Sequence, residues 1–89
     1  GAAPATGTVV RQAGKLFAPG NIRINRSDRL TIVNDDTRTH NVRIFDKRLD
    51  FNSGAQEPSQ SVTLRFPEAG TYDAFCGIHP SMRLRIEVK

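Results

Sequence analysis

The sequence predicts an all-β fold, a Greek-key β-sandwich of seven to eight strands. Short apolar and β-branched segments recur along the chain and are separated by turn residues, such as those at 19–21 and 67–70. No segment longer than a turn has the periodicity of a helix. The 89 residues show no internal repeat and no shift in composition, so we expect one domain over residues 1–89.

The first part of the chain contains three expected strands, at 8–12, 22–24 and 30–34. The first is β-branched but alternates poorly. In the second, Arg23 stands between Ile22 and Ile24, which is the alternation of a strand with one face in water. The third is mostly apolar and β-branched, which predicts a more buried strand. Turns are expected at 17–21 and 25–28, where Pro, Gly, Asn and Asp are frequent.

The fourth expected strand, 39–45, gives the first indication of a site. Its period of two places His40, Val42 and Ile44 on one face. Because Val42 and Ile44 mark the inner face, we expect His40 to point into the sandwich. The next segment, 46–60, is irregular and long for a connection, so it is expected to contain a short strand or a helical turn.

Alternating apolar and polar residues predict further strands in the C-terminal part of the chain, at 61–66, 71–76 and 82–88. The same parity aims Cys76 inward and Phe75 outward, and it places Met82 first among the inward positions of the last strand. His40, Cys76 and Met82 therefore each lie at a strand end and point to the interior.

Metal-ligating side chains are concentrated in the connection before the last strand. Cys76, His79 and Met82 fall within seven residues, and the only other histidine is His40. A thiolate, two imidazoles and a thioether are the ligands of a blue-copper electron-transfer site. The sequence therefore predicts one copper ion, with His40, Cys76, His79 and Met82 as candidate ligands.

The segment 72–82 resembles the copper loop of the cupredoxins, and most of all the short Cys-x-x-His-Pro-x-Met loop of the amicyanins. The resemblance extends to His40-Asn41-Val42 and to Pro67-x-x-Gly70-x-Tyr72. Two features depart from the family pattern. Leu84 stands where a glycine is usual after the methionine, and 46–60 matches no family pattern.

This resemblance implies a role for each candidate residue. The equatorial ligands would be His40, Cys76 and His79, with Met82 as the weak axial ligand. Asn41 would form a hydrogen bond across to the copper loop. The electron-transfer surface would be the exposed edge of His79, with Ile78 and Pro80 around it. It would also include Phe75, which stands where plastocyanins have a tyrosine on a proposed second electron route.

The resemblance also implies a function. We expect a soluble type 1 copper protein that shuttles single electrons by cycling between Cu(II) and Cu(I), that is not an enzyme, and that works as a monomer in a bacterial periplasm. Amicyanins accept electrons from a quinoprotein dehydrogenase and pass them to a c-type cytochrome, so similar partners are expected. The net charge of +4 favours at least one acidic partner. The alternative is a copper carrier or storage protein, which would need an open site with exchangeable ligands.

Other functional classes fit the residues less well. The arginines alternate with core positions, as on a solvated face, and few aromatic residues are left to stack on nucleic acid. An immunoglobulin domain requires two cysteines and a tryptophan, but this chain has one cysteine and no tryptophan. A nucleophilic Cys76 would leave Met82 without a role.

The N-terminal segment and the apolar runs bear on location. No run approaches the roughly 18 apolar residues of a membrane span. Residues 1–7 lack the basic and apolar regions of a signal peptide, and we expect them to form a flexible arm or the segment just after a cleavage site.

Overall fold

A computed structural model describes residues 7–89 of this protein. That range contains no helix, and so none that is long and apolar enough to cross a membrane. It contains nine strands: β1 (Gly7–Ala13), β2 (Leu16–Ala18), β3 (Asn21–Ile24), β4 (Arg29–Asn34), β5 (Arg43–Phe45), β6 (Asp50–Asn52), β7 (Ser61–Leu64), β8 (Gly70–Phe75) and β9 (Arg83–Val88).

The strands form two sheets, with the orders β2-β1-β4-β7 and β3-β9-β8-β5-β6. β1 pairs parallel with β4, and β3 pairs parallel with β9, whereas the other pairs are antiparallel. Neighbouring strands are therefore often distant in sequence, as long connections between two stacked sheets require. The predicted all-β sandwich is confirmed.

The core lies between the two sheets and follows the predicted period of two. In β9, Leu84, Ile86 and Val88 are buried, while Arg83 and Arg85 on the other face are exposed. The fully buried side chains also include apolar residues from other strands of both sheets, namely Val10, Leu30, Ile32, Ile44, Tyr72 and Ala74. Burial of these side chains is the main stabilising contribution.

The structure corrects the number and length of the strands. The additional strands are β2, which lies partly within the turn expected at 17–21, and β6, which is the short strand expected within 46–60. Each has three residues and is held by a neighbour, β2 by β1 and β6 by β5. The strand expected at 39–45 is shortened to β5, and His40 forms an isolated bridge with Gln56. Most of the expected arm, residues 1–6, lies outside the described range, and Gly7 begins β1.

A cluster of side chains links the connection between β5 and β6 to the start of β8. The Tyr72 hydroxyl donates to the Glu68 carbonyl at 2.7 Å. The Arg48 guanidinium lies 4.0 Å from the centre of the Tyr72 ring and donates to the Thr71 carbonyl at 2.7 Å. Arg48 also donates to both oxygens of Asp46 at 2.9 Å. One guanidinium therefore joins two turns that are distant in sequence.

Gly70 is required beside this cluster, so we expect Gly70→Ala to destabilise the protein by about 2 kcal/mol. Its φ is +137°, and a Cβ there would lie 2.0 Å from Arg48 Nη1, so Arg48 would be displaced. The matched control is Gly54→Ala, because Gly54 has φ +71° but open space around it. That change should cost only about 1 kcal/mol. Urea unfolding measures the free energy of unfolding of both variants. Equal decreases would mean that displacement of Arg48 adds nothing to the cost of the substitution at position 70.

The Asp46–Arg48 pair should make stability depend on pH. The hydrogen bonds from Arg48 lower the pKa of Asp46 from 3.8 to about 2. A carboxyl with a lowered pKa in the folded state stabilises above pH 3.8, and this contribution is lost as pH falls toward 2. We expect the urea midpoint of copper-free protein to fall over this range and Asp46→Asn to flatten the dependence. The control is Asp73→Asn, at an exposed position of β8, which should leave the change of the urea midpoint with pH unaltered.

Candidate metal centre

The four candidate ligands lie at one end of the sandwich. His40 is in the connection between β4 and β5, Cys76 directly follows β8, His79 lies in the connection between β8 and β9, and Met82 directly precedes β9. His40, Cys76 and Met82 are fully buried, as the alternation predicts, whereas His79 is partly exposed.

The structure brings two imidazoles and the thiol together. Cys76 Sγ lies 3.8 Å from His40 Nδ1 and 4.0 Å from His79 Nδ1. One ligand atom from each of these residues lies within 4.8 Å of the others, and the two ring centres are 5.2 Å apart. Three atoms this close can surround a single metal ion.

Backbone hydrogen bonds shape the connection that carries the other two candidates. The Cys76 N–H donates to the Met82 carbonyl at 3.2 Å, which closes the base of the loop. The Met82 N–H donates to the His79 carbonyl at 2.9 Å, which makes a turn with Pro80 at its second position. Proline favours that position because its ring presets φ. Met82 is thereby held next to Cys76 and buried under the loop.

Asn41 joins this loop to the segment that carries His40. Its backbone N–H donates to Cys76 Sγ at 3.4 Å, and its side-chain Oδ1 accepts a hydrogen bond from the Gly77 N–H at 2.5 Å. A Cβ at position 77 would lie 3.2 Å from Asn41 Nδ2, so the close approach favours glycine. Asn41 thus contacts the copper loop through both backbone and side chain.

Asp36 orients the His40 ring and was not identified from the sequence, which indicated only a turn there. His40 Nε2 lies 3.0 Å from Asp36 Oδ2, and His40 Nδ1 faces Cys76. The hydrogen bond to His40, followed by one from the Thr37 N–H, lowers the pKa of Asp36 to about 2. An ionised Asp36 favours the proton on Nε2 and leaves the Nδ1 lone pair for a metal. The available signal was a carboxylate four residues before a candidate ligand.

Buried amides hold the backbone around His40, and sequence analysis also missed them. Gln56 pairs with His40 through two backbone hydrogen bonds of 3.0 and 2.7 Å. Asn34 Nδ2 donates to the carbonyls of Arg38 and Gln56. Gln12 Nε2 donates to the Asn41 carbonyl at 3.3 Å. All three amide residues are almost fully buried, so the connection that carries His40 is anchored on several sides.

His79 differs from His40 in facing solvent at the end of the sandwich. Burial lowers the pKa of His79, and the charges of His40, Lys15 and Arg38 lower it further. A neutral imidazole is the form that binds metal. Ile78 and Pro80 beside it are exposed, Ile78 by 50%.

Phe75, the remaining candidate of the electron-transfer surface, lies on a different side. It is partly buried on the outer face of β8, opposite Arg43 and Arg83 on the neighbouring strands. The structure therefore separates Phe75, on a sheet face, from the residues around His79, at the end of the sandwich.

The donor set indicates the metal. A thiolate with two imidazoles suits copper or zinc, and a thioether is typical of copper electron-transfer sites. The chain offers no other buried sulfur in the described range than Cys76 and Met82, and both are at this end. The residues present fit a mononuclear copper ion.

Comparison with known proteins identifies relatives over nearly the whole chain. Residues 5–89 match the profile of the copper binding proteins of the plastocyanin/azurin family. Amicyanin-alpha of Methylorubrum extorquens is 29% identical over 90 residues, which cover 98% of this chain and 76% of that protein. Amicyanin of Paracoccus denitrificans is 29% identical over 89 residues, which cover 96% and 68%.

Solved structures of amicyanin are also similar in fold. A reduced tryptophan-to-tyrosine variant superposes with a TM-score of 0.87 at 29% identity, covering 93% of this chain and 82% of that one. The Cu(I) form of a methionine-to-alanine variant gives a TM-score of 0.88 at 28% identity, covering 98% and 86%.

Proposed function

This chain belongs to the plastocyanin/azurin family of copper-binding proteins, and we propose that it shuttles single electrons by cycling one type 1 copper ion between Cu(II) and Cu(I). Copper is the cofactor, and electron transport is the role of its blue copper relatives. The observation that carries the proposal is the position of Cys76 Sγ between the Nδ1 atoms of two histidines, at 3.8 and 4.0 Å.

The proposed equatorial ligands are His40 Nδ1, Cys76 Sγ and His79 Nδ1, with Met82 as the weak axial ligand. The distances between the first three donors support this set, and the burial of Met82 against the closed loop supports its place in it. Cys76 would bind as the thiolate, because metal binding drives its deprotonation.

Bound copper supplies a one-electron couple, and the protein's part is to keep the ligands in place while the charge changes. Asn41 contributes by joining the two ligand-bearing segments, and Asp36 by orienting the His40 ring. Such partners of the ligands lower the rearrangement that accompanies electron transfer.

We propose that electrons pass through the exposed edge of His79, where Ile78 and Pro80 form an apolar surface. The partial exposure of His79 and the 50% exposure of Ile78 support this route. Phe75 precedes Cys76 on the outer face of β8 and would serve a second route.

The proposed donor and acceptor are a quinoprotein dehydrogenase and a c-type cytochrome, and the proposed location is the periplasm. These proposals follow from the similarity to amicyanins. By the same similarity, the protein would act as a monomeric carrier and not as an enzyme.

Copper loading followed by optical spectroscopy and voltammetry tests the function. An electron carrier should be intensely coloured as Cu(II), bleach on adding one electron and show a reversible couple. The alternative, a copper carrier or storage protein, would release copper quickly to a chelator. The complete burial of His40 and Cys76 favours slow exchange. Rapid exchange without a reversible couple would overturn the proposal.

A further inference from the structure

A basic cavity lies beside the candidate copper centre. It has a volume of about 270 Å³ and is lined by Gly14, Lys15, Asp36, Thr37 and Arg38. Its walls come from the turn between β1 and β2 and from the connection that leads to His40. Lys15 and Arg38 contribute the two positive charges, and both residues are exposed.

The carboxylate in this cavity is already committed to other partners. Asp36 accepts a hydrogen bond from the Thr37 N–H at 2.7 Å and pairs with His40 Nε2 at 3.0 Å. Within residues 7–89, neither the Lys15 nor the Arg38 side chain forms an ion pair. The cavity therefore presents two cations, neither held in an ion pair, against the single negative charge of Asp36.

The cavity adjoins the solvent-facing histidine through His40. Asp36, which lines the cavity, contacts His40 Nε2 at 3.0 Å, and the ring centres of His40 and His79 are 5.2 Å apart. An anionic group between Lys15 and Arg38 would consequently rest beside the proposed electron exit. Opposite charges at such a place raise the rate of encounter and fix the orientation of the bound partner.

We propose that the cavity between Lys15 and Arg38 receives a carboxylate side chain of an acidic redox protein, which orients that partner over His79. The proposal rests on the proposed electron-carrier function. The partner is defined by its chemistry, an acidic segment next to an apolar contact, which complements the cavity and the exposed Ile78 beside it.

Another basic surface is the outer face of the five-stranded sheet, which presents Arg83 and Arg85. Two other arginines of this sheet are paired, Arg23 with Glu87 and Arg43 with Asp50. Arg83 directly follows Met82, but it lies on the outer face of the sheet and does not line the cavity, and Arg85 lies two residues farther from the copper end. We therefore favour the Lys15–Arg38 cavity as the docking site.

The test is an NMR titration of the Cu(I)-loaded, ¹⁵N-labelled protein with a deca-glutamate peptide at low ionic strength. We expect shifts to concentrate at residues 14–16, 36–38 and 77–80. The double variant K15Q/R38Q should bind about fivefold more weakly, as expected from the loss of two exposed ion pairs.

The matched control is R26Q/R29Q, which removes the same charge from exposed residues. Arg29 begins β4, roughly 17 Å from its copper end. This variant should change peptide affinity by less than about twofold. No binding, equal losses in both variants, or shifts centred on β5, β8 and β9 would overturn the proposal. Peptide binding does not require electron transfer. The absence of a reversible Cu(II)/Cu(I) couple would therefore contradict the proposed function and not the docking site.

Discussion

Replacing Cys76 with serine is expected to abolish the intense visible colour of the Cu(II) protein and to weaken copper binding by at least about a hundredfold. Cys76 Sγ lies 3.8 Å from His40 Nδ1 and 4.0 Å from His79 Nδ1. A hydroxyl is a poor ligand for copper, and it cannot supply the thiolate-to-Cu(II) charge transfer. Optical titration with Cu(II) measures both effects.

The control for this substitution is Ala74→Ser, which introduces a buried hydroxyl two residues earlier on the same face of β8. It should lower stability slightly and leave the colour unchanged. A Cys76→Ser protein that folds and keeps its colour would show that another residue supplies the charge-transfer ligand.

Replacing Asn41 with leucine is expected to lower copper affinity by about a hundredfold, the upper end of the effect of losing a residue that supports a ligand. Leucine cannot accept the hydrogen bond from Gly77, so the copper loop would lose its attachment to the His40 segment. The two ligand-bearing segments would then move independently. Competition for copper with a chelator of known affinity measures the change.

Asn41→Asp provides the matched comparison, because it retains an oxygen acceptor for the Gly77 N–H. It should recover most of the affinity that leucine loses. If leucine and aspartate were equally weak, the effect would come from the loss of the amide group and not from the link to Gly77. Unchanged affinity in both variants would contradict the proposed role of Asn41.

These effects follow from how the fold builds the centre. β8 and β9 are antiparallel neighbours, so the short connection between them returns Met82 to Cys76. His40 comes from a connection that is anchored by Gln56 and other buried amides. One rigid end of the sandwich can therefore hold the ligands while His79 remains accessible to a partner.

The class of fold and the types of metal-ligating side chain are predictable from the amino-acid sequence. Alternation in 82–88 and 71–76 is strong because one face of each strand is buried, and period two then fixes which residues point inward. The same rule predicts that His40, Cys76 and Met82 point inward, and all three are fully buried. Soft ligands in a short segment pointed to copper.

The groups that support these ligands cannot be predicted in the same way, because they come together only in the folded chain. Gln12 faces Asn34 because β1 and β4 pair in parallel, and that register brings its amide to the Asn41 carbonyl. The three-residue strands β2 and β6 likewise form only against neighbours. The contact of Asp36 with His40 depends on the path of an irregular turn. Alternation along a strand predicts which face a residue occupies. Contacts between residues distant in sequence depend on strand register and turn geometry, which are set only when the chain packs.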